Sequence, residues 1–113
     1  MSIVDWSDQI VIAELGDEPS FSDDMDSLFR KLEEAQERPP DVIVNMQGVS
    51  YMNSSNISQL LRLRKRLLIA NRRLRLCSVA DTVWSEIMVT GLDKILEFTD
   101  DVSTSLASLQ IND

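Results

Sequence analysis

Apolar residues along this chain follow two rhythms, and the switches between them mark out its elements. Gln9 to Leu15 is β-branched and mostly apolar, which predicts a strand. Ile3 to Trp6 predicts a short edge strand before it, with Ser7-Asp8 as the turn. Gly16 to Ser20 is a loop broken by Pro19. Met25, Leu28, Phe29 and Leu32 then recur at helical spacing. Ser20 or Ser22 is placed to cap this helix, Asp23, Asp24 and Asp26 load its first turn, and Pro39-Pro40 stops it. Val42 to Met46 is a near-continuous apolar run, the pattern of a strand covered on both faces.

The next helix is predicted from Ser55 or Asn56 to about Ala70. Ile57, Leu60, Leu61, Leu67 and Leu68 form its inner face, and Arg62, Lys65 and Arg66 its outer one. Arg64 breaks the pattern: at about 100° per residue it falls inside the apolar stripe. It is expected to run past its neighbours to solvent rather than enter a buried ion pair. Arg73 to Val79 predicts another strand. Ala80 to Thr90 predicts a helix with Val83, Trp84, Ile87 and Met88 inward and Gly91 just beyond its end. Asp93-Lys94 turns into a short strand, Ile95 to Thr99. Asp100 or Asp101 caps a last helix carrying Val102, Leu106 and Leu109. Strands alternating with helices at this spacing imply an α/β sheet with parallel neighbours, in a single domain spanning 1–113.

Composition narrows the partners. The 113 residues are 43% apolar and only 5% aromatic, so the core is aliphatic. The net charge of −8 argues against nucleic acid as a bulk partner. The charge is unevenly placed. All 19 acids lie outside Val42 to Ala80, whereas that span holds Arg62, Arg64, Lys65, Arg66, Arg72, Arg73 and Arg75 out of 11 basic residues in all. Either this is a solvated basic face paired with acids elsewhere in the fold, or it is a patch that meets an acidic partner or a phosphate. Cys77 is alone in a strand-like run, so no disulfide framework exists and its thiol is expected to be structural. No run approaches the ~20 apolar residues a membrane span requires, and the first residues lack a signal-peptide pattern, so a cytoplasmic setting is expected.

Catalytic chemistry is hard to assemble from these residues. The chain has no histidine, which removes imidazole acid–base work, Ser-His activation and most zinc ligation. Gly16, Gly48 and Gly91 are too few and too scattered for a phosphate-binding loop. Asp23, Asp24 and Asp26, like Asp100 and Asp101, are better explained by capping and dipole complementation than by a cation site. No catalytic residue, metal site or cofactor is expected, and the chain is not expected to be an enzyme.

The remaining candidate is Asn53-Ser54-Ser55-Asn56, a polar turn delivered by a strand to a helix N-terminus, where free N–H groups and the positive dipole end point outward. Alone, it is explained by helix capping. With its flanks it carries more. The run Asp41-Val42-Ile43-Val44-Asn45-Met46-Gln47-Gly48-Val49-Ser50-Tyr51-Met52-Asn53-Ser54-Ser55 resembles the signature of the STAS domain, the fold of bacterial anti-anti-sigma factors. The arginine-rich helix, the Arg73-Leu74-Arg75-Leu76 strand, the Thr90-Gly91-Leu92-Asp93-Lys94-Ile95 turn and the Asp100-Asp101 helix start follow in the same order.

The resemblance implies a mixed, mostly parallel sheet of four to five strands flanked by about four helices. It also implies a non-catalytic regulator that binds an anti-sigma factor of the serine-kinase type and is switched by phosphorylation of Ser55. Tyr51, Met52, Asn53, Ser54, Ser55 and Asn56 would form the partner surface. Two positions of the turn depart from the family: Asn53 stands where an acid precedes the serine pair, and Asn56 where a glycine follows, an exchange an asparagine tolerates at positive φ. Asn45 stands in place of a second acid usual in the family. A constitutive STAS adaptor that never cycles through phosphate is the alternative, and a ligand-sensing STAS domain a weaker one, since no pocket is marked in the sequence.

Overall fold

A computed structural model describes residues 2–35 and 38–111. The single-domain expectation for 1–113 therefore also takes in residues 1, 36, 37, 112 and 113, which lie outside the described residues. Five strands form one sheet in chain order: β1 (Ile3–Ser7), β2 (Ile10–Gly16), β3 (Asp41–Gly48), β4 (Leu74–Cys77) and β5 (Phe98–Thr99). The β1–β2 pair is antiparallel and every later pair is parallel. The sheet is thus mixed and mostly parallel, with helices α1 (Ser20–Glu34), α2 (Ser54–Ile69), α3 (Asp81–Thr90) and α4 (Val102–Ile111).

This strand order dictates the layers. Parallel crossovers are right-handed. Three in succession, all stepping the same way across the sheet, put α1, α2 and α3 on one face. The period-two alternation of the strands agrees. Val42, Val44 and Met46 point into a large core with Phe21, Met25 and Leu28 of α1, Leu60, Leu63 and Leu67 of α2, and Val83 and Ile87 of α3. Ile43 points the other way, into a small core with Ile10, Cys77 and Leu109 of α4. Cys77 is fully buried there, and burial raises its thiol pKa above the ordinary value, as a structural thiol requires.

Several local expectations are corrected. Neither Ser20 nor Ser22 caps α1: Pro19 occupies the N-cap, and the Glu18 carboxylate accepts the Ser22 N–H at 2.8 Å. Leu61 and Leu68 of α2 are exposed, and Leu63 is buried in their place. Leu60, Leu63 and Leu67 make a narrower stripe than the apolar residues suggest, because α2 has only one sheet face to cover. Arg64 reaches past the stripe, as expected, and its Nε donates to the Ile95 carbonyl at 3.2 Å. Met88 of α3 is likewise exposed.

The fourth strand is shorter than its apolar run. Ser78, with φ 58°, turns the chain out of the ladder. The fifth begins late because the N–H groups of Lys94 and Ile95 bond back to Gly91 and Leu92 in a single 3₁₀ turn and that of Leu96 also bonds to Leu92, which leaves Phe98 and Thr99 to pair with β4. Gly91 adopts φ 78° at the end of α3, the left-handed closure expected of it.

Candidate functional site

The parallel strands β2, β3 and β4 discharge their loops at one end of the sheet, where open α/β folds place their sites. The loop after β3 runs from Val49 to the N-terminus of α2. Gly48 starts it where β3 and β2 come so close that an added Cβ would lie 2.9 Å from the Leu15 carbonyl oxygen. Asp17, in the loop after β2, grips Ser50: its carboxylate accepts the Ser50 N–H at 2.7 Å and the Ser50 hydroxyl as well. Val49 and Met52 are buried in the large core and anchor the loop from below.

The turn is closed by a reciprocal pair of side chains. Asn53 is the N-cap of α2, and its Oδ1 accepts the Asn56 N–H at 2.8 Å. The Asn56 Oδ1 accepts the Asn53 N–H in return, at 3.1 Å. This is a capping box built from two amides. It answers the N–H groups of the N-cap and of the fourth residue, and it leaves the first-turn amides of Ser54 and Ser55 outside the helical ladder. Helix α2 therefore starts at Ser54, earlier than expected, with a backbone-fixed serine pair at its positive end.

Asn56 does more than cap. It is 1% exposed, and its Nδ2 donates to Glu18 at 3.0 Å. Glu18 in turn accepts from the Ser22 backbone and hydroxyl, and Gln59 of α2 donates to the Ser22 hydroxyl at 3.2 Å. A polar chain thus ties the start of α1 to the start of α2. The expectation that Asn56 fills a positive-φ position is corrected: it is helical, and among the described residues the non-glycine positive φ values belong to Asn71 and Ser78. A glycine at 56 would keep the helix and lose both the box and the link to Glu18.

Of the six residues expected at a partner surface, Tyr51, Asn53, Ser54 and Ser55 are exposed. Met52 and Asn56 are buried and hold the other four in place. Asn45 lies within the second half of β3 and turns its Oδ1 to the Gln47 N–H at 3.0 Å, so this amide too serves the local backbone. Sequence reasoning passed over Asp17, Glu18 and Gln59, and gave Ser22 only a capping role on α1. The available signal was topological: once β2 and β3 are read as parallel neighbours, acids just after β2 must lie beside the loop after β3.

Both acids are held ionised. The Ser50 hydroxyl, then its N–H, lowers the pKa of Asp17, and the Ser22 hydroxyl, then its N–H, lowers that of Glu18. A group whose folded pKa is depressed stabilises the fold above its unfolded value and loses that contribution as pH falls through the folded one. The stability difference between wild type and Glu18→Gln is therefore expected to be full above the ordinary glutamate value of 4.5 and to close below it. Urea unfolding of both proteins across that range checks this; a gap independent of pH would show that Glu18 acts through shape alone.

The basic residues divide between structure and surface. Asp41 at the start of β3 takes Arg73 at 3.1 Å and Arg72 at 3.5 Å. Arg62 lies over the Phe29 ring, 4.1 Å from its centroid. Among the described residues, pairing with acids across the fold thus accounts for Arg72 and Arg73 of the seven. Among the described residues no group of acids, cysteines or histidines could hold a metal ion, and no helix is long and apolar enough to cross a membrane.

Residues 8–105 match the STAS domain family model. No curated protein matches the chain. Several solved structures share its fold. An anti-sigma-factor antagonist (STAS) domain protein from Planctomyces limnophilus superimposes with a TM-score of 0.80 at 20% identity, covering 96% of each chain. The phosphorylated form of the Bacillus cell fate determinant SpoIIAA gives 0.72 at 15% identity, with 97% of each chain covered. A sulfate transporter family protein from Wolinella succinogenes gives 0.76 at 21% identity, covering 90% of this chain and 85% of its own.

Proposed function

The chain belongs to the STAS domain family, and from that premise we propose that it is a non-catalytic regulator of the anti-anti-sigma type, which binds an anti-sigma factor of the serine-kinase kind and is released by phosphorylation of Ser55. One observation carries this reading. Ser55 is an exposed hydroxyl in the first turn of α2, on a backbone held by the Asn53–Asn56 box from one side and by Glu18 from the other. A kinase meets the hydroxyl in one fixed geometry. A phosphate placed there gains the free first-turn amides and the helix dipole, so phosphorylation leaves the fold intact. Its charge of about −2 then sits where a partner would have to desolvate it. Tyr51, Asn53 and Ser54 complete the contact surface, and the anti-sigma neighbours in fold space support the class of partner.

The test is incubation of the protein with ATP and the anti-sigma kinase of its own cell, followed by mass spectrometry. One phosphate on wild type and none on Ser55→Ala is the expected result. Phosphate persisting on Ser55→Ala would remove Ser55 from the role.

A second reading rests on the amides. With Asn53 and Asn56 in place of an acid and a glycine, the turn is neutral and internally bonded, which suits a constitutive adaptor that docks by shape and is never modified. Under that reading wild type takes up no phosphate from any kinase of its cell, and Ser55→Asp binds the partner as wild type does.

A further inference from the structure

Four side chains close a ring beside the serine turn. The Ser22 hydroxyl donates to Glu18 Oε2 at 2.6 Å, and Gln59 Nε2 donates to the Ser22 oxygen at 3.2 Å. Asn56 Nδ2 donates to Glu18 Oε2 at 3.0 Å and to Gln59 Oε1 at 3.4 Å. The Ser22 N–H holds the other Glu18 oxygen at 2.8 Å. The ring joins the loop after β2, the first turn of α1 and the first two turns of α2.

Every bond in this ring has a direction, and one residue sets it. A hydroxyl and a primary amide each carry a donor and an acceptor, so Ser22, Gln59 and Asn56 could run the ring either way round. Glu18, held ionised by Ser22, only accepts. It draws the Ser22 hydrogen and Asn56 Nδ2 towards itself. Gln59 then has to give its Nε2 to Ser22 and its Oε1 to Asn56. Asn56 Oδ1 is left facing the turn, where it accepts the Asn53 N–H at 3.1 Å and completes the capping box. Rotated by half a turn, the Asn56 amide would set acceptor against acceptor at Glu18 and donor against donor at the Asn53 N–H. Asn56 is 1% exposed, so water offers little relief there. The Tyr51 side of the loop has its own support, Asp17 acting through Ser50.

We propose that Glu18 is a positioning residue for Ser55: by fixing the Asn56 amide it closes the Asn53–Asn56 box, and so presents the Ser55 hydroxyl to a kinase in one geometry. The effect on phosphate transfer rests on Ser55 being the switch, whereas the effect on the turn does not. In the transfer step Ser55 Oγ bonds to the γ-phosphorus of ATP, the bond to the bridging oxygen breaks, ADP leaves, and the hydroxyl proton passes to a base of the kinase. Such a step is governed mainly by positioning, so a looser turn slows the transfer more than the docking.

The experiment reads backbone amide exchange by NMR, and phosphate uptake from ATP with the anti-sigma kinase of the same cell, on the full chain in both. Glu18→Gln keeps the side chain's shape and adds a donor where the ring needs an acceptor. Exchange at the Asn53 N–H is expected to rise about tenfold, the scale of a lost cap bond, while that at Ser50 stays as it is. The kcat for Ser55 should fall about tenfold, with KM for the protein within about twofold of wild type. Glu18→Gln/Gln59→Glu moves the carboxylate across the ring and should recover most of both, because position 59 also faces Asn56 Nδ2 and Ser22. In Asn56→Gly protein, which has no amide to orient, adding Glu18→Gln should lower kcat no further. Unchanged exchange at Asn53 in Glu18→Gln would overturn the proposal. So would faster exchange with unchanged kcat, a change in KM alone, or a double variant no better than Glu18→Gln. Wild type that takes up no phosphate would instead remove the switch, and the exchange measurement then decides by itself whether Glu18 positions the turn.

Discussion

Ser55→Asp protein is expected to lose about a hundredfold or more of its affinity for the anti-sigma partner, about 2.7 kcal/mol, while unfolding at nearly the same temperature as wild type. The two halves of this expectation have separate causes. In the free protein the new carboxylate sits in the first turn of α2, beside amides that have no intrahelical acceptor. A negative charge there is favourable by roughly 0.3–1 kcal/mol. In the complex the same charge is enclosed by a partner surface fitted to a neutral hydroxyl, and an unpaired buried charge at an interface costs about 2–5 kcal/mol. Isothermal titration with the partner, together with a melting curve, reads both. Ser55→Ala separates charge from shape, since it should bind nearly as wild type does. Undiminished affinity of Ser55→Asp would sink the switch and favour the adaptor.

Asp41→Ala is expected to be the most damaging single change to the fold away from the large core. Its side chain is 5% exposed and accepts three donors: the Arg73 N–H at 2.7 Å, the Arg73 guanidinium at 3.1 Å and, less closely, Arg72. These contacts join the starts of β3 and β4, and Arg73 carries the connection on to the Leu109 carbonyl at the end of α4. Removing the carboxylate leaves two guanidinium groups crowded together and a backbone N–H without its acceptor. Breaking a buried pair from one side costs about 3–5 kcal/mol. Both arginine side chains keep about a third of their exposure, 29% and 35%, and water screens them, so a value near the lower end applies. A fall in melting temperature of more than about 12 °C follows for a domain of this size. Asp41→Asn, which keeps an acceptor for the Arg73 N–H, should lose less. Calorimetry of the three proteins tests the series, and a loss under ~1 kcal/mol in Asp41→Ala would mean the arginines are served equally well by solvent.

What the chain's own order determined was the alternation of elements and the place of the site. Runs such as Val42–Met46 and stripes such as Met25, Leu28, Phe29 and Leu32 depend on periods of two and 3.6, which local geometry imposes before any tertiary contact forms. The polar turn at Asn53–Asn56 was legible because a strand, a turn and a helix start are consecutive in the chain. The tertiary structure alone decided how much of each stripe is buried. Leu61, Leu68 and Met88 are apolar enough for a core, but α2 and α3 each meet one sheet face and leave those positions in solvent. It also decided the last strand, where competing turn bonds claim the N–H groups of Lys94 to Leu96. Above all it decided what holds the serine turn. Glu18 and Asn56 are 38 residues apart, and only the parallel pairing of β2 with β3 makes them neighbours, so no local pattern could announce the bond between them.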